Sequence, residues 1–326
     1  MSVAYAAPLV AGVVAMLLIA WMLKAQTRLA LDVPNERSLH DRPVPRSGGI
    51  AIMLGVLTGF AVLELPLVIV LPTALLVAVS HLDDLRGLPV SIRIGAQIIA
   101  AVLFAQGALQ AMSWPLLVLI VVGIVWVTNL YNFMDGSDGL AGGMSVFGFG
   151  FLAMGAWHSG DETLTIASVV IAAAAAGFLL FNFPPASIFM GDAGSVPLGF
   201  LAVVLSLAGW REGDWPFWFP VVVFSPFIVD ATLTLLKRML RGERLWEAHR
   251  KHYYQRLVQI GWGHRGTALA EYALALTCGA AALWAIRQPV YAQLAVLLAL
   301  VALYAALAAW LDLAWKHHEK NSVGTA

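Results

Sequence analysis

Long apolar segments alternate with short polar connections along almost the whole chain. A helix that crosses the roughly 30 Å hydrocarbon core of a bilayer needs about 20 mostly apolar residues. By this measure the pattern predicts about eleven transmembrane helices, or ten if one of two short segments near Pro66 and Pro72 does not span. The predicted spans are 4–23, 49–63, 65–80, 92–111, 114–133, 143–158, 163–181, 195–210, 215–236, 267–286 and 290–314. The pattern therefore predicts an all-α polytopic membrane protein with one integral domain over residues 1–326.

The composition agrees with this class and excludes others. Of 326 residues, 60% are hydrophobic and 12% are charged, whereas about a quarter of the residues in a soluble domain are charged. This excludes disorder, a nucleic-acid-binding domain and most soluble enzymes. The 19 basic and 19 acidic residues cancel, so no net charge attracts an anionic partner. The single cysteine, Cys278, excludes a disulfide framework and a cysteine-ligated zinc site.

Lysine and arginine predict the orientation. The first apolar segment lacks a positive leader and a cleavage site, which favours a retained span. If the N-terminus lies outside, 17 of the 19 basic residues fall in inside connections or the C-terminal tail, and only Arg211 and Arg287 lie outside. Because cytoplasmic loops are enriched in positive charge, the N-terminus is predicted outside and the C-terminus inside.

Almost all the polar groups capable of chemistry lie in the predicted inside connections. These connections are 32–49, 81–93, 129–143, 182–195 and 237–266. Ionisable groups at a membrane boundary are costly and are usually retained for function. Solvated turns are the alternative for any single loop, but a shared site explains better why the carboxylates lie among glycines and arginines.

The adjacent acids Asp83 and Asp84 end the third predicted span. Two neighbouring carboxylates repel, which raises the pKa of one of them unless a cation lies nearby. The pair is therefore a candidate general base or magnesium anchor. The alternative is a simple helix C-terminal turn closed by Gly87.

The next inside connection carries Asn129, Asn132, Asp135 and Asp138 at every third position. On a helix each of these side chains would lie one turn from the next. Gly136 and Gly139 permit a break that turns backbone amides toward an anion. Amide and carboxylate oxygens suit magnesium, and the twelve-residue spacing of an EF-hand is absent. A turn without function is the alternative.

A third segment, residues 181–195, contains a single acid, Asp192, between glycines at the start of the eighth predicted span. This carboxylate could complete a metal shell with Asn132 or Asp135. Phe189 is either a stacking platform for a flat ring or a lipid-facing side chain, and the spacing does not decide between them.

Residues 237–266 are predicted to form a long, basic cytoplasmic loop within the domain. Its arginines and lysines could bind phosphates or anionic lipid headgroups. We favour lipid for the arginines at 238–244 and the site for the run from His249 to Arg256, because histidine adds nothing to topology. A zinc site is not indicated, since His249 and His252 have no cysteine partner.

These segments, together with 34–40 (PNERSLH) and 45–49 (PRSGG), resemble the polyprenyl-phosphate N-acetylhexosamine-1-phosphate transferases, glycosyltransferase family 4. The resemblance covers roughly residues 32–265. It implies that a polyprenyl phosphate, such as undecaprenyl phosphate, attacks the β-phosphorus of a UDP-N-acetylated sugar and that UMP leaves. It further implies Mg²⁺, which Mn²⁺ could replace, and a bacterial inner (plasma) membrane protein with its active site on the cytoplasmic face. A homodimer is compatible with it, and no nucleic acid is expected.

The resemblance also implies residue roles. Asn132 and Asp192 match metal-binding positions, whereas Asp135, Asp138 and Asn182 match positions near the nucleotide. Phe189 matches the ring that stacks on uracil. Asp83 and Asp84 match the pair that handles the acceptor phosphate, with Asp83 favoured as the base. The remaining site candidates are His252 as a catalytic residue and Arg46, His249, Arg250 and Arg256 as substrate-binding residues.

One departure from the family pattern concerns the sugar. His252 fits the first position of a histidine-rich motif, but Tyr254 and Gln255 stand where further histidines would be. The run 249–256 is more similar to the branch that starts lipopolysaccharide O-antigen with 6-deoxy sugars such as N-acetylfucosamine or N-acetylquinovosamine. A UDP-GlcNAc-specific transferase is the alternative within the family. The alternative from another class is a lipid-linked sugar transporter, which would place polar groups near the bilayer midplane. The interiors of the predicted spans contain almost no charged residues, and Asp230 is the main exception.

Overall fold

The computed structural model describes residues 3–25, 31–32, 43–109, 112–244 and 249–323. Segment 34–40 lies outside these described residues. The regular structure within them is helical except for two short antiparallel strands, β1 (Leu31–Asp32) and β2 (Val44–Pro45). The α-helices are α1 (Ala7–Lys24), α2 (Gly48–Leu63), α3 (Leu67–Arg86), α4 (Val90–Ala108), α5 (Trp114–Phe133), α6 (Leu140–Ser159), α7 (Glu162–Asn182), α8 (Asp192–Glu212), α9 (Trp218–Val223), α10 (Ser225–Leu240), α11 (Tyr253–Leu257), α12 (Gly263–Ala285) and α13 (Val290–Val323). A 3₁₀ turn (Val3–Ala6) precedes α1, and a π-helical turn (Val258–Trp262) joins α11 to α12.

Nine helices within the described ranges are long and apolar enough to cross a membrane, so the predicted all-helical polytopic class is confirmed. Two predicted spans differ from these nine. Segment 49–63 is the 16-residue helix α2, and segment 215–236 is divided between α9 and α10, with the break at Phe224. Pro226, in the first turn of α10, lacks the amide hydrogen that would continue α9. The total number of spans and the orientation stay predictions.

Helix α8 is the central element of the fold. It packs against α3, α5 and α2, and its side chains are buried on almost every face. At its start, a Cβ atom on Gly49 would lie 2.5 Å from the Cα atom of Gly194, so α2 and α8 approach to backbone contact. The amides of Gly48 and Gly49 donate to the carbonyls of Phe189 and Met190, at 2.9 and 2.8 Å. The first turn of α2 therefore holds the loop that precedes Asp192.

The predicted basic loop 237–266 is shorter than expected. Helix α10 continues to Leu240, and the chain is helical again from Tyr253, so the described part of the connection consists of 241–244 and 249–252. A local break remains at Gly261, whose φ is 108°. The start of this helical part is held by contacts of Tyr253 with Asp230 of α10 and of Arg256 with Asp312 of α13, which the local sequence does not reveal.

Candidate active site

Asp84 joins the end of α3 to the start of α8. The residue is 7% exposed, and its side chain accepts hydrogen bonds from the backbone amides of Asp192 and Ala193, at 3.1 and 2.9 Å. The first amides of a helix have no partner within the helix, and the helix dipole favours a negative charge there. Asp84 therefore fixes the position of Asp192 relative to α3.

Two arginines lie beside the acidic pair. Arg46 donates from Nη2 to the backbone carbonyl of Asp84 at 2.8 Å. Arg93 donates from Nη1 to Asp83 Oδ2 at 3.2 Å and lies 3.6 Å from Asp192 Oδ2. The helix C-terminal turn that was the alternative for this pair is also present, because the Gly87 amide donates a hydrogen bond to the Asp83 carbonyl at 2.8 Å.

The end of α5 supplies Asn132 to the same region. Its Oδ1 atom accepts a hydrogen bond from the Ser195 hydroxyl at 2.5 Å, which places it against the first turn of α8. The helix ends at Phe133, so Asp135 and Asp138 do not continue the helical spacing of Asn129 and Asn132. The chain breaks beyond Phe133 and turns through Gly139, whose φ is 76°.

Asp135 lies in the turn between α5 and α6. Burial, together with the negative charges of Asp192 and Asp84, raises the pKa of its carboxyl group well above the usual range. A hydrogen bond from the Gly191 amide opposes this shift. The acids of α3, α8 and this turn therefore create an excess of negative charge that a bound cation would relieve.

The donor set fits a magnesium ion that is bound partly by its substrate. Among the described residues, no three acidic, histidine or cysteine side chains converge closely enough to enclose a metal ion by themselves. Mg²⁺ is commonly held by one or two carboxylates together with substrate phosphates and water. Asp192 and the oxygen of Asn132 provide hard ligands of this kind at the start of α8 and the end of α5.

Asp138 and Asn182 hold the surrounding loops together. Asn182 is buried, accepts from the Gly139 amide at 2.8 Å and donates to the Ile188 carbonyl at 2.9 Å. Asp138 accepts from the Ala186 amide at 2.9 Å. Their predicted role near a nucleotide is untested, and their observed contacts fix the backbone of the turn that carries Asp135.

Helix α12 contributes two residues that the sequence analysis did not single out. His264 Nδ1 lies 2.8 Å from the Ser137 hydroxyl and 3.9 Å from Asp138 Oδ1. Tyr272 donates its hydroxyl to the Gly139 carbonyl at 2.6 Å. The position of His264 in the basic segment was a usable signal, whereas Tyr272 lies inside a predicted span and gave none.

Phe189 is half-buried in the loop before α8. Its amide donates to the Pro45 carbonyl at 2.8 Å, and its predicted stacking on uracil stays a prediction. A second aromatic ring of this loop, Phe183, packs against Tyr272, with ring centroids 6.4 Å apart. The Arg265 guanidinium lies 6.0 Å from the Phe183 ring centroid, which is within cation–π range.

The predicted residues of the last connection separate into two groups. His249 and His252 stack with ring centroids 4.8 Å apart, and Arg250 follows His249 in the same segment. Burial, reinforced by neighbouring positive charges, lowers the pKa of His249 to about 4, so this imidazole is neutral at pH 7. Arg256 instead lies 3.0 Å from Asp312 of α13 and packs over the rings of Tyr253 and Trp315. The structure therefore does not bring Arg256 to the acids around Asp192.

An apolar cavity of about 590 Å³ opens between α3, α4, α5 and α8. Arg93, Asn132 and Asp192 line it at the helix ends that carry the acidic residues. Deeper along the wall, Asn129 Nδ2 donates to Gln97 Oε1 at 2.6 Å. The arrangement combines a charged mouth with an apolar interior, which suits a ligand that has an anionic head and a hydrocarbon chain.

Comparison with known proteins gives the class. The family model described as glycosyl transferase family 4 matches residues 66–210, which include the end of α3, the turn after α5 and the start of α8. The chain is 32% identical, over an alignment of 266 residues that covers 74% of each protein, to a probable undecaprenyl-phosphate N-acetylglucosaminyl 1-phosphate transferase of Bacillus subtilis. The chain therefore belongs to glycosyl transferase family 4 and is an enzyme, a glycosyl-1-phosphate transferase.

Two further relatives extend the comparison. The chain is 30% identical, over 74% of its length, to a decaprenyl-phosphate N-acetylglucosaminephosphotransferase of Mycobacterium leprae, of which it covers 73%. It is also 33% identical, over 46% of its length, to a phospho-N-acetylmuramoyl-pentapeptide-transferase of Bacillus pumilus, of which it covers 45%. The match to both types supports the family and does not single out one sugar.

Proposed function

We propose that this enzyme transfers a sugar 1-phosphate from a UDP-N-acetylhexosamine to a polyprenyl phosphate, undecaprenyl phosphate in particular, and releases UMP. A phosphate oxygen of the acceptor bonds to the β-phosphorus of the donor, and the bond from that phosphorus to the UMP oxygen breaks. The observation that carries the proposal is the convergence of Arg93, Asn132 and Asp192 at the charged mouth of the apolar cavity, where Arg93 pairs with both Asp83 and Asp192.

Phosphoryl transfer depends mainly on positioning and charge neutralisation, which these residues supply. Arg46 and Arg93 each retain an Nε–H group with no hydrogen-bond partner among the described residues. These two atoms are buried, but the side chains of Arg46 and Arg93 are 39% and 38% exposed, so their terminal N–H groups can reach phosphate oxygens, which arginine binds well. We assign them to the pyrophosphate of the donor and the phosphate of the acceptor.

Asn132 and Asp192 would hold the proposed magnesium ion, for which Mn²⁺ could substitute. The ion supplies charge neutralisation at the pyrophosphate when it is bound. Asp83, paired with Arg93, is placed to orient the acceptor phosphate and to take a proton if that phosphate arrives protonated. Asp84 acts on the reaction through the position of α8, because both of its carboxylate oxygens accept hydrogen bonds from backbone amides of that helix.

We assign the apolar cavity to the first isoprene units of the acceptor. Its walls are formed by aliphatic side chains of α3, α4 and α5 as well as by α8. A chain placed there would keep its phosphate at Arg93 and Asp192. The same placement puts the nucleotide sugar on the face where the positive-inside rule locates the basic residues, which we propose is the cytoplasmic face of a bacterial inner membrane.

Two donors are the first to test. The names of two relatives contain N-acetylglucosamine, whereas the run 249–256 favours a UDP-linked 6-deoxy N-acetylhexosamine and hence O-antigen or a related envelope polysaccharide. His249, a neutral ring at pH 7 stacked on His252, offers a flat surface for a sugar rather than a cation for phosphate.

The test is UMP release by purified protein in lipid nanodiscs with undecaprenyl phosphate, Mg²⁺ and a panel of UDP-N-acetyl sugars. We expect release with at least one donor and loss of it after chelation, with recovery on adding Mg²⁺ or Mn²⁺. Asp192→Ala should abolish turnover, while Glu212→Gln, at the exposed far end of α8, should not. Folded protein that releases no UMP from any donor would reject the enzymatic proposal and favour a transporter.

A further inference from the structure

Asp230 is a buried acid in the middle of α10 whose carboxylate accepts four hydrogen bonds. It is 6% exposed. Oδ1 accepts from the Tyr253 amide at 2.9 Å and the Thr234 hydroxyl at 3.1 Å, and it lies 3.2 Å from His252 Nδ1. Oδ2 accepts from the Tyr254 amide at 2.8 Å.

These contacts explain where the last cytoplasmic segment becomes helical. The amides of Tyr253 and Tyr254 belong to the first turn of α11 and have no partner within that helix. A buried carboxylate is costly unless hydrogen bonds satisfy it, and these amides provide two of them. Asp230 therefore acts as a remote cap, supplied by a different helix, at the N-terminus of α11.

The capped segment packs against the end of α5. Tyr254 donates its hydroxyl to the Phe133 carbonyl at 3.2 Å, and a Cβ atom on Gly136 would lie 2.2 Å from that hydroxyl. The rings of His252 and Phe133 have centroids 6.4 Å apart. Phe133 follows Asn132 and lines the charged mouth of the cavity, so the segment lies beside the candidate metal site.

The contact with Asp230 also orients the His252 ring. The 3.2 Å approach of His252 Nδ1 to Asp230 Oδ1 is a hydrogen bond in the tautomer that carries the proton on Nδ1. Nε2 is then the ring nitrogen left for other partners. An interaction of this kind orients an imidazole and sets its tautomer, as carboxylates do behind histidine ligands and catalytic histidines.

We propose that Asp230 is a positioning residue for the transfer reaction: it orients His252 through Nδ1 and holds the start of α11 against the turn that follows α5. This inference rests on the proposed function for its kinetic consequence. Its structural consequence, the ordering of residues 252–257, does not depend on which reaction the site performs.

The test compares Asp230→Asn with Asp161→Asn. Asp161 caps α7 by accepting the Leu164 amide at 2.8 Å, and it belongs to the opposite ends of the helices, away from the acidic site. Asparagine caps a helix as well as aspartate does, so Asp161→Asn should change neither turnover nor stability. Asp230→Asn places an amide donor against the backbone amides of α11, and we expect kcat for UMP release to fall about 10- to 100-fold. KM for the UDP-sugar should change by a smaller factor than kcat, because the hydrogen bonds of Asp138 and Asn182 in the nucleotide loops stay in place.

A double-mutant cycle with His252→Gln separates positioning from a general loss of structure. If Asp230 acts through His252, then Asp230→Asn should lower kcat much less in the His252→Gln background than in the wild type. An undiminished effect in that background would overturn the assignment. If Asp230→Asn does not fold, Thr234→Val removes one donor to the carboxylate without changing charge and should give a smaller decrease with the same dependence on His252.

Hydrogen–deuterium exchange gives a readout that is independent of catalysis. We expect faster exchange at residues 252–257 in Asp230→Asn, and unchanged exchange there in Asp161→Asn. Unchanged exchange in Asp230→Asn would overturn the proposal even if turnover fell. Conversely, faster exchange in a protein that releases no UMP with any donor would reject the proposed reaction and retain the ordering of residues 252–257 by Asp230.

Discussion

At the scale of single residues, Asp83 and Asp84 are neighbours in the chain with different surroundings. Both carboxylate oxygens of Asp84 accept hydrogen bonds from backbone amides of α8. Asp83 instead accepts hydrogen bonds from the Leu88 amide at 2.5 Å and from the partly exposed Arg93 side chain. The surroundings of Asp84 therefore suit a structural role, whereas Asp83, paired with a partly exposed arginine, is placed to act on a substrate. The difference arises because successive residues on a helix point about 100° apart.

This contrast predicts different effects of two matched substitutions. Asp84→Asn leaves one amide oxygen for two backbone donors and should lower the free energy of unfolding by about 1–3 kcal/mol, together with turnover. Asp83→Asn should lower turnover with a smaller loss of stability. Thermal unfolding in detergent and UMP release measure the two effects. Equal losses of stability in both variants would contradict this division of roles.

The raised pKa of Asp135 predicts that the free energy of unfolding depends on pH. Because its pKa is raised in the native state, the native protein holds this proton more tightly than the unfolded chain does. The free energy of unfolding of the metal-free protein should therefore decrease as pH rises from about 4, the unfolded value, through the native pKa. Asp135→Asn removes the titrating group, so without metal it should be more stable than the wild type at pH 8 and lose this advantage toward pH 5. Thermal unfolding in EDTA across that range is the measurement, and a constant difference would contradict the sign.

At the scale of elements, the contact between α5 and α8 sets the distance between Asn132 and Ser195. Gly199 makes this contact possible, because a Cβ atom there would lie 2.7 Å from Tyr131 Cβ and 3.0 Å from Thr128 Cα. Close packing leaves no free space for an added methyl group. The metal-site geometry therefore depends on a residue that carries no chemistry.

Gly199→Ala should push α5 away from α8, lower stability by about 1–3 kcal/mol and raise the Mg²⁺ concentration needed for half-maximal UMP release. Gly123→Ala is the matched control on α5, since a Cβ atom there meets no other atom within 4 Å. It should be neutral or slightly stabilising. A Mg²⁺ titration of both variants decides the question, and an unchanged midpoint in Gly199→Ala would remove the link between packing and metal.

The last helix, α13, is linked through Asp312 to α10 and α11, the two helices that meet at Asp230. This carboxylate pairs with Lys237 of α10 and with Arg256 of α11. Arg256 is buried, so the loss of its partner leaves a poorly compensated charge. Because Asp312 is one-third exposed, we expect Asp312→Asn to cost only about 1–3 kcal/mol in the free energy of unfolding. Glu319→Gln, on the exposed end of α13, should cost far less in the same thermal assay.

At the scale of the whole molecule, the ends of α3 and α5 lie against the start of α8, so the end of α8 lies at the opposite end of these helices. Cys278 is the single cysteine and is buried, so a Cys278→Ala background allows labelling from each face. Arg86→Cys should react with a membrane-impermeant maleimide in inside-out vesicles, and Glu212→Cys in right-side-out vesicles. The reverse pattern would invert the proposed orientation.

The sequence by itself determined the class of protein and most of its helices. The length of an apolar segment is a local property and the charge of a loop is an additive one. They therefore predicted a span at each of the nine long apolar helices of the described residues, and they predicted that the basic residues share one face. The motifs around Asp83, Asn132 and Asp192 identified the family because they can be recognised without knowing how they pack. The same local reasoning extended the last cytoplasmic loop to 266, whereas remote contacts make the chain helical again from Tyr253.

Only the tertiary structure decided which polar groups face one another. Asp230 lies 23 residues before the amide of Tyr253 that it accepts, and Asp84 lies 108 residues before the amide of Asp192. Arg256 was expected at the phosphates and instead pairs with Asp312, 56 residues away. Hydrogen bonds act over about 3 Å, so such partners depend on how helices from distant parts of the chain pack together, and no local pattern encodes that distance.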